Sequence, residues 1–135
     1  MKLLRFGAAG AEKPGLLDKD GTIRDLSGVV SDITPETLKN GAIAKIAAID
    51  PATLPAVEAG VRLGPIVNGV RNFIAVGLNY VDHAHETGSP IPSEPILFNK
   101  APNCIVGPND TVIIPKNSQK TDWEVELAIV IGKTA

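Results

Sequence analysis

The stretch that decides the predicted fold is Trp123-Glu124-Val125-Glu126-Leu127-Ala128-Ile129-Val130-Ile131. Large apolar side chains occupy every second position from Trp123 to Ile131, and side chains of a β-strand alternate between its two faces. We therefore predict a β-strand over residues 123–131 with one continuous apolar face. Glu124 and Glu126 share the opposite face of this predicted strand.

Glu124 and Glu126 form the first candidate site. Side chains two residues apart on a strand lie roughly 6.5–7 Å apart, so both carboxylates can reach one cation. Like-charge repulsion and partial burial oppose their ionisation, and a hard cation such as Mg²⁺, Mn²⁺ or Ca²⁺ would compensate both effects. An edge strand with a solvated polar face fits the same pattern equally well, and this alternative stays open.

The second candidate site lies within Asn79-Tyr80-Val81-Asp82-His83-Ala84-His85-Glu86. Asn79 is a residue type that favours the start of a helix. His83 and Glu86 are three residues apart, and side chains at this spacing meet on one face of a helix. A carboxylate beside an imidazole orients the ring and stabilises its protonated form, as a general base that activates water requires. A surface His–Glu pair, worth about a few tenths of a kcal/mol, is the alternative.

The region after residue 70 contains several further predicted strands. Phe73-Ile74-Ala75-Val76 is an apolar run that predicts a strand covered on both faces. Other strands are predicted over Ile96 to Lys100 and over residues 105–106 and 111–114. Lys100 at a strand end could meet a substrate carboxylate or enolate oxygen, although a lysine in this position is most often solvated.

The first seventy residues predict a small module of their own. Leu3 to Phe6 is a predicted strand, and Asp20-Gly21 predicts the turn of a hairpin. Thr34 followed by Pro35 predicts a helix start, with a helix that runs to about Ala48. Asp50-Pro51 repeats this signal and predicts a second short helix near residues 52–58.

Composition excludes several classes of protein. Hydrophobic residues make up 44% and charged residues 21% of the chain, as in ordinary globular proteins, and no apolar run approaches the length of about 18 residues that a membrane span needs. The net charge of −2 and the scattered lysines and arginines argue against nucleic acid and membranes as partners. Cys104 is the single cysteine, so no internal disulfide can form, and a cytoplasmic location is expected.

Four sequence blocks resemble the fumarylacetoacetate hydrolase superfamily in their order and spacing. In chain order they are Gly77-Leu78-Asn79-Tyr80-Val81-Asp82-His83-Ala84-His85-Glu86, Pro95-Ile96-Leu97-Phe98-Asn99-Lys100, Gly107-Pro108-Asn109-Asp110 and Asp122-Trp123-Glu124-Val125-Glu126-Leu127-Ala128-Ile129-Val130-Ile131-Gly132-Lys133. The resemblance is strong over Phe73 to Lys133. The preceding residues are similar to the small N-terminal extension of bacterial 2-hydroxyhepta-2,4-diene-1,7-dioate isomerases.

The resemblance implies an α+β fold. It consists of a β-rich mixed roll of the fumarylacetoacetate hydrolase type, incomplete here, preceded by a small N-terminal α/β module. We accordingly predict a small N-terminal domain over residues 1–70 and the start of the catalytic domain over residues 71–135. Members of this family are usually dimeric, so a homodimer is expected.

The resemblance also implies roles for single residues. Glu124 and Glu126 match a pair of metal ligands for Mg²⁺ or Mn²⁺, with Ca²⁺ as a further candidate. His83 and Glu86 match a catalytic dyad that activates water. The implied substrate-binding residues are Lys100 and Tyr80.

The sequence departs from the family pattern in two respects. Asn79 stands where some members carry an additional aspartate, so we expect it to cap a helix and not to bind metal. The remaining aspartate ligand of the family lies downstream of Ala135. The metal site is therefore expected to be incomplete, and the 135-residue chain alone is expected to be inactive.

The implied activity is metal-assisted chemistry on 2,4-dioxo or 2-hydroxy-dienoate carboxylic acids. Hydrolysis of the C–C bond of an acylpyruvate and isomerisation of 2-hydroxyhepta-2,4-diene-1,7-dioate share the same needs, and no residue separates them. Ureidoglycolate lyase and oxaloacetate decarboxylase types are near relatives and stay as alternatives. A non-catalytic fragment or scaffolding domain is the alternative from a different class.

Overall fold

A computed structural model describes residues 1–133, which fall into two compact units. The first unit contains Met1–Gly69 and the residues from Val106 onward, and the second contains Val70–Ile105. The bounds of these compact units do not test the predicted domains over residues 1–70 and 71–135. That division stays a prediction. Across residues 1–133, every helix is too short or too polar to cross a membrane.

The first unit is built on a three-stranded antiparallel sheet. Its strands, in sheet order, are β1 (Lys2–Phe6), β2 (Lys13–Leu17) and β3 (Ile23–Asp25). The Asp18 amide donates to the Thr22 carbonyl, and Gly21 takes the left-handed φ of 85° that the turn between β2 and β3 requires. The predicted first strand and the predicted hairpin are both confirmed.

Two short helices follow the sheet, α1 (Pro35–Lys39) and α2 (Ala42–Ala47). The Thr34 hydroxyl accepts a hydrogen bond from the Thr37 amide, which confirms the predicted helix start. The prediction of one helix to about Ala48 was wrong, because Gly41 has a φ of 80° and ends the first helical segment.

The predicted helix near residues 52–58 was also wrong. The Asp50 side chain does accept from the Ala52 amide, as the cap signal implied, but only a single 3₁₀ turn follows, Pro51–Thr53. A cap satisfies the first amides of a helix, and elongation depends on packing that the cap does not supply. The core of the unit is formed by the buried residues Leu16, Leu26, Ala42 and Ile46.

The second unit contains one antiparallel strand pair and one helix. β4 (Phe73–Gly77) pairs with β5 (Ile96–Lys100), α3 (Val81–Glu86) lies between them in sequence, and a 3₁₀ turn follows at Pro102–Cys104. The predicted strand at Ile96 to Lys100 is confirmed. The predicted burial of both faces of β4 was wrong, since Ile74 is 58% exposed on a sheet of only two strands.

Residues 105–106 and 111–133 contain neither helix nor strand. The strands predicted over residues 105–106, 111–114 and 123–131 were therefore wrong. Alternate apolar side chains from Trp123 to Ile131 are 77–83% exposed, and none of the described strands pairs with this segment. A strand exists only when a neighbour takes up its backbone hydrogen bonds, and an alternating pattern cannot supply that neighbour.

A buried ion pair ties the first unit together. The Arg5 side chain, only 5% exposed, donates from Nε and Nη2 to the two carboxylate oxygens of Asp32, at 2.7 and 3.0 Å. Arg5 also donates to the Pro65 carbonyl at 3.3 Å, and the Asn68 amide group donates to Asp32 at 2.9 Å. The pair therefore fixes β1 against two distant loops.

Arg62 extends this network. Its guanidinium donates to Glu12 Oε1 at 2.9 Å, to Asp110 Oδ2 at 2.6 Å and to the Gly7 carbonyl at 3.1 Å. Glu12 also lies 3.7 Å from Arg5, so its carboxylate faces both guanidinium groups. The hydrogen bond from Arg62 lowers the pKa of Glu12 and that of Asp110.

Asp32 is a carboxylate on which opposing effects act. Burial is the largest single effect and disfavours its charged form, but the hydrogen bonds from Arg5, Asn68 and the Ile33 amide together outweigh it. The pKa of Asp32 is therefore lowered from its usual value of 3.8.

Arg5→Met should lower the free energy of unfolding by about 2–4 kcal/mol, because it leaves Asp32 and Glu12 without their shared cation while keeping an unbranched side chain. Urea denaturation followed by circular dichroism measures this change. Lys39→Met, in the last turn of α1, is the control and should have little effect. Equal midpoints for the two variants would contradict the role of Arg5.

The free energy of unfolding should also depend on pH. A carboxylate whose folded-state pKa is lowered stabilises the fold above its unfolded-state pKa, and this contribution disappears as the pH falls through the folded-state value. The free energy of unfolding should therefore fall between about pH 5 and pH 2, and Asp32→Asn should make this fall shallower. Glu58→Gln, at an exposed position, is the control, and identical pH profiles for the two variants would argue against Asp32.

Candidate active site

The His–Glu pair lies on α3, which follows β4 after a short loop. Leu78 in that loop takes a φ of 48°, and Tyr80 stands at the N-cap of α3 without a side-chain hydrogen bond. The prediction that Asn79 caps the helix was therefore wrong, because the turn places the cap one residue later. Gly88, with a φ of 65°, follows the end of the helix.

His83 and Glu86 do meet on one face of α3. His83 Nδ1 lies 3.8 Å from Glu86 Oε2, and the two side chains are 43% and 80% exposed. This separation is too long for a hydrogen bond, so the contact is an ion pair only when the imidazole is protonated. The helix therefore supplies a hydrated imidazole with a carboxylate on its Nδ1 side.

Tyr80 and Lys100, the predicted substrate-binding residues, lie in the same unit as His83. Tyr80 is 45% exposed. Lys100 ends β5, pairs with Phe73 of β4 and holds its Nζ 5.9 Å from the centre of the Phe98 ring. This distance is within the range of a cation–π contact. Their roles in binding stay predictions.

Glu124 and Glu126 lie in the first unit, on the exposed segment without a strand. Their role as metal ligands also stays a prediction, but the strand that was to align them is absent from the described structure. Carboxylates are suitable ligands for Mg²⁺ or Mn²⁺, yet two of them alone do not make a closed site. Among residues 1–133, no three His, Cys, Asp or Glu side chains are grouped to hold a metal. The described residues therefore do not form a metal centre.

The turn at Gly107–Asp110 is more than a connection. The Gly107 amide donates to Asp110 Oδ2 at 2.8 Å, and Asp110 in turn binds Arg62. A Cβ atom on Gly107 would overlap the Leu63 carbonyl oxygen, so only glycine fits this close approach. Arg62 was missed by the sequence analysis, because an isolated arginine carries no local signal of its partner.

Comparison with known proteins indicates the class of this region. Residues 72–135 match the family model described as "Fumarylacetoacetate (FAA) hydrolase C-terminal". The matched residues include α3 and the segment with Glu124 and Glu126, and they contain all four sequence blocks that carry the resemblance.

Individual relatives agree with this class. A protein of Burkholderia ambifaria (strain MC40-6), named "Putative hydrolase", is 57% identical over 134 residues, which cover 99% of this chain and 48% of the relative. A Burkholderia lata protein with the same description is 56% identical over the same shares. The chain thus spans about half the length of the curated relatives it matches.

One solved structure is also similar. It is titled "Crystal structure of a putative HpcE protein from Mycobacterium smegmatis", and the match has a TM-score of 0.61 with 25% sequence identity. It covers 86% of this chain and 41% of that chain. The described chain therefore has a fold of mixed helices and strands similar to that structure.

Proposed function

We propose that this chain contributes about half of a fumarylacetoacetate hydrolase family enzyme that acts on 2,4-dioxo or 2-hydroxy-dienoate carboxylic acids. The observation that carries the proposal is the His83–Glu86 pair on α3, within the region that matches the family model. A cytoplasmic homodimer is part of the same proposal. The isomerase type agrees with the residues before β4, which are similar to the extension of bacterial isomerases.

The geometry of α3 suggests how the proposed base works. Glu86 lies beside Nδ1 of His83, so Nε2 is the nitrogen that would take a proton from water or from the substrate. In hydrolysis, the resulting hydroxide adds to a carbonyl carbon, and the neighbouring C–C bond breaks with its electron pair on the departing enolate. The enolate then takes up the proton that His83 removed from water. In isomerisation, the proton only moves between carbon atoms or from oxygen to carbon. Both reactions use the same base, so the pair supports either.

We propose separately that Glu124 and Glu126 are two ligands of Mg²⁺ or Mn²⁺ in the whole enzyme. The support is their carboxylate chemistry and their position in the matched region. When bound, such a cation polarises the oxygens of an oxo acid and stabilises an enolate. The described residues do not form this centre on their own.

A non-catalytic binding or scaffolding role is the second candidate. It is favoured by the exposure of His83 and Glu86, since a hydrated pair of this kind is common on protein surfaces. The two candidates differ in one property: only the enzyme requires His83 for turnover.

His83→Ala should lower kcat by roughly 10²- to 10⁴-fold, because a positioned general base contributes about that much. The measurement is hydrolysis of an acylpyruvate, followed by loss of its enol absorbance, in a chain extended to the length of the Burkholderia relatives. His85→Ala is the matched control, since position 85 on α3 faces away from position 83. Equal turnover by the two variants would remove His83 from the chemistry.

Glu126→Gln should weaken Mn²⁺ binding by at least about tenfold, because loss of a ligand costs no less than loss of an outer partner. Titration calorimetry with Mn²⁺ on the extended chain measures this effect. Glu94→Gln, an exposed carboxylate in the second unit, is the control and should bind as the unchanged protein does. Unaltered affinity after Glu126→Gln would end its assignment as a ligand. The 135-residue chain alone should bind Mn²⁺ weakly and show no turnover.

A further inference from the structure

The sequence contains two Asn–Gly pairs, Asn40–Gly41 and Asn68–Gly69. Asparagine is a chemically labile residue, and a following glycine favours its deamidation. The reason is that glycine has no Cβ atom to crowd its backbone nitrogen as that nitrogen approaches the side-chain carbonyl carbon. Both asparagines are exposed to water. The two pairs therefore share the same local chemistry, and the fold decides which of them reacts.

Deamidation consumes only water. The backbone nitrogen of the glycine attacks Cγ of the asparagine and gives up its proton. The bond from Cγ to Nδ2 breaks, and Nδ2 takes up a proton and leaves as ammonia, so that a succinimide ring remains. Water then adds to either ring carbonyl carbon, whose bond to the ring nitrogen breaks as that nitrogen is protonated. The product is an aspartate or an isoaspartate, which carries a negative charge where the amide was neutral.

Hydrogen bonding of the attacking nitrogen distinguishes the two pairs. Asn40 is the C-cap of α1, and the Gly41 amide donates to the Leu38 carbonyl at 3.3 Å. This hydrogen bond must break before the Gly41 nitrogen can attack. By contrast, Gly69 lies in a bend with a φ of 71°, and its amide donates to no acceptor among residues 1–133.

The two asparagine side chains are restrained alike. Asn40 Nδ2 donates to Glu36 Oε1 at 2.8 Å, and Asn68 Nδ2 donates to Asp32 Oδ2 at 2.9 Å. Since a carboxylate holds each amide group at nearly the same distance, this restraint favours neither pair. Deamidation at Asn68 should therefore be faster by the worth of the hydrogen bond that Gly41 must break, which is about two- to tenfold.

The consequences of the reaction differ as well. Glu36 is exposed on α1, whereas Asp32 is the partner of the buried guanidinium of Arg5. After deamidation at position 68, a second carboxylate faces Asp32 in place of the amide donor. Loss of the hydrogen bond and repulsion between the two like charges both disfavour the ionised Asp32 that Arg5 requires.

We propose that Asn68–Gly69 is a deamidation site, and that the reaction there weakens the Arg5–Asp32 ion pair of the first unit. The modification lowers the stability of that unit as the protein ages. This inference goes beyond the proposed function, because none of the residues assigned to the chemistry takes part in it.

The first test follows the reaction in the folded 135-residue chain, kept at mildly alkaline pH in water enriched in heavy oxygen. Trypsin then releases the asparagines in separate peptides, residues 40–45 and 63–71, and mass spectrometry measures the label in each. Because digestion is carried out in ordinary water, only a succinimide that opened during the incubation carries the label. Position 68 should be labelled about two- to tenfold faster than position 40.

Unfolding in urea is the control for the structural cause, since it removes the hydrogen bond at Gly41 and should bring the two rates together. Asn68→Gln is the control for the chemistry, because glutamine must close a larger ring, and its peptide should stay unlabelled. Labelling at position 40 as fast as at position 68 in the folded chain overturns the site, and so does a lack of label at position 68. A difference between the rates that persists in urea also overturns it.

The second test measures the effect on stability by urea denaturation. The midpoint should fall in the aged chain and should hold in Asn68→Gln aged in the same way. Asn68→Asp should have a lower midpoint than Asn68→Ala, because both lose the hydrogen bond to Asp32 and only the first adds a like charge. An equal fall in aged Asn68→Gln, or equal midpoints for the other two variants, would overturn the link to the ion pair. The ageing measurement decides the matter even where Asn68→Asp does not fold.

Discussion

The buried guanidinium of Arg5 is the constraint on which the packing of the first unit depends. A charge that is 5% exposed must be paired, since an unpaired charge in an apolar interior is very costly. Its partners come from far along the chain: Asp32 lies 27 residues away and the Pro65 carbonyl 60 residues away. The need to satisfy one side chain of β1 therefore holds two loops in place beside the three-stranded sheet.

Arg62 links the surroundings of Arg5 to a later turn of the chain. It binds Glu12, which also faces Arg5, and it binds Asp110 in the turn where the chain returns to the first unit. Gly107 admits the close approach of the Leu63 carbonyl that this turn requires. The start of the segment that leads to Glu124 and Glu126 is thus held, although the segment itself has no strand partner among the described residues.

Most of the residues proposed to take part in the chemistry lie in the second unit, which has few helices and strands. One strand pair and one short helix present His83, Glu86, Tyr80 and Lys100. His83 is partly exposed, and the other three residues are exposed. A general base works best where water is excluded from the reacting groups, and β4, β5 and α3 do not by themselves exclude it. The proposed enzyme therefore requires surroundings beyond this unit.

Local signals in the sequence were enough to predict several features correctly. The helix start at Thr34 and Pro35, the hairpin turn at Asp20-Gly21 and the meeting of His83 with Glu86 all depend on residues within a few positions of one another. The resemblance of residues 72–135 to a known family was also recognisable, because its blocks are short motifs in a set order. These features follow from the sequence by itself, since the interactions that produce them are local in the chain.

Only the tertiary structure decided the rest. The alternating pattern from Trp123 to Ile131 has strand character, but a strand needs a neighbour, and the described chain provides none. The pairing of Arg5 with Asp32 and of Arg62 with Asp110 joins residues that share no local pattern. The break between α1 and α2 depends on Gly41 adopting a left-handed conformation that its neighbours permit but do not demand. The physical reason is the same each time: sequence reports what a segment can form, and long-range contacts select which of those forms is stable.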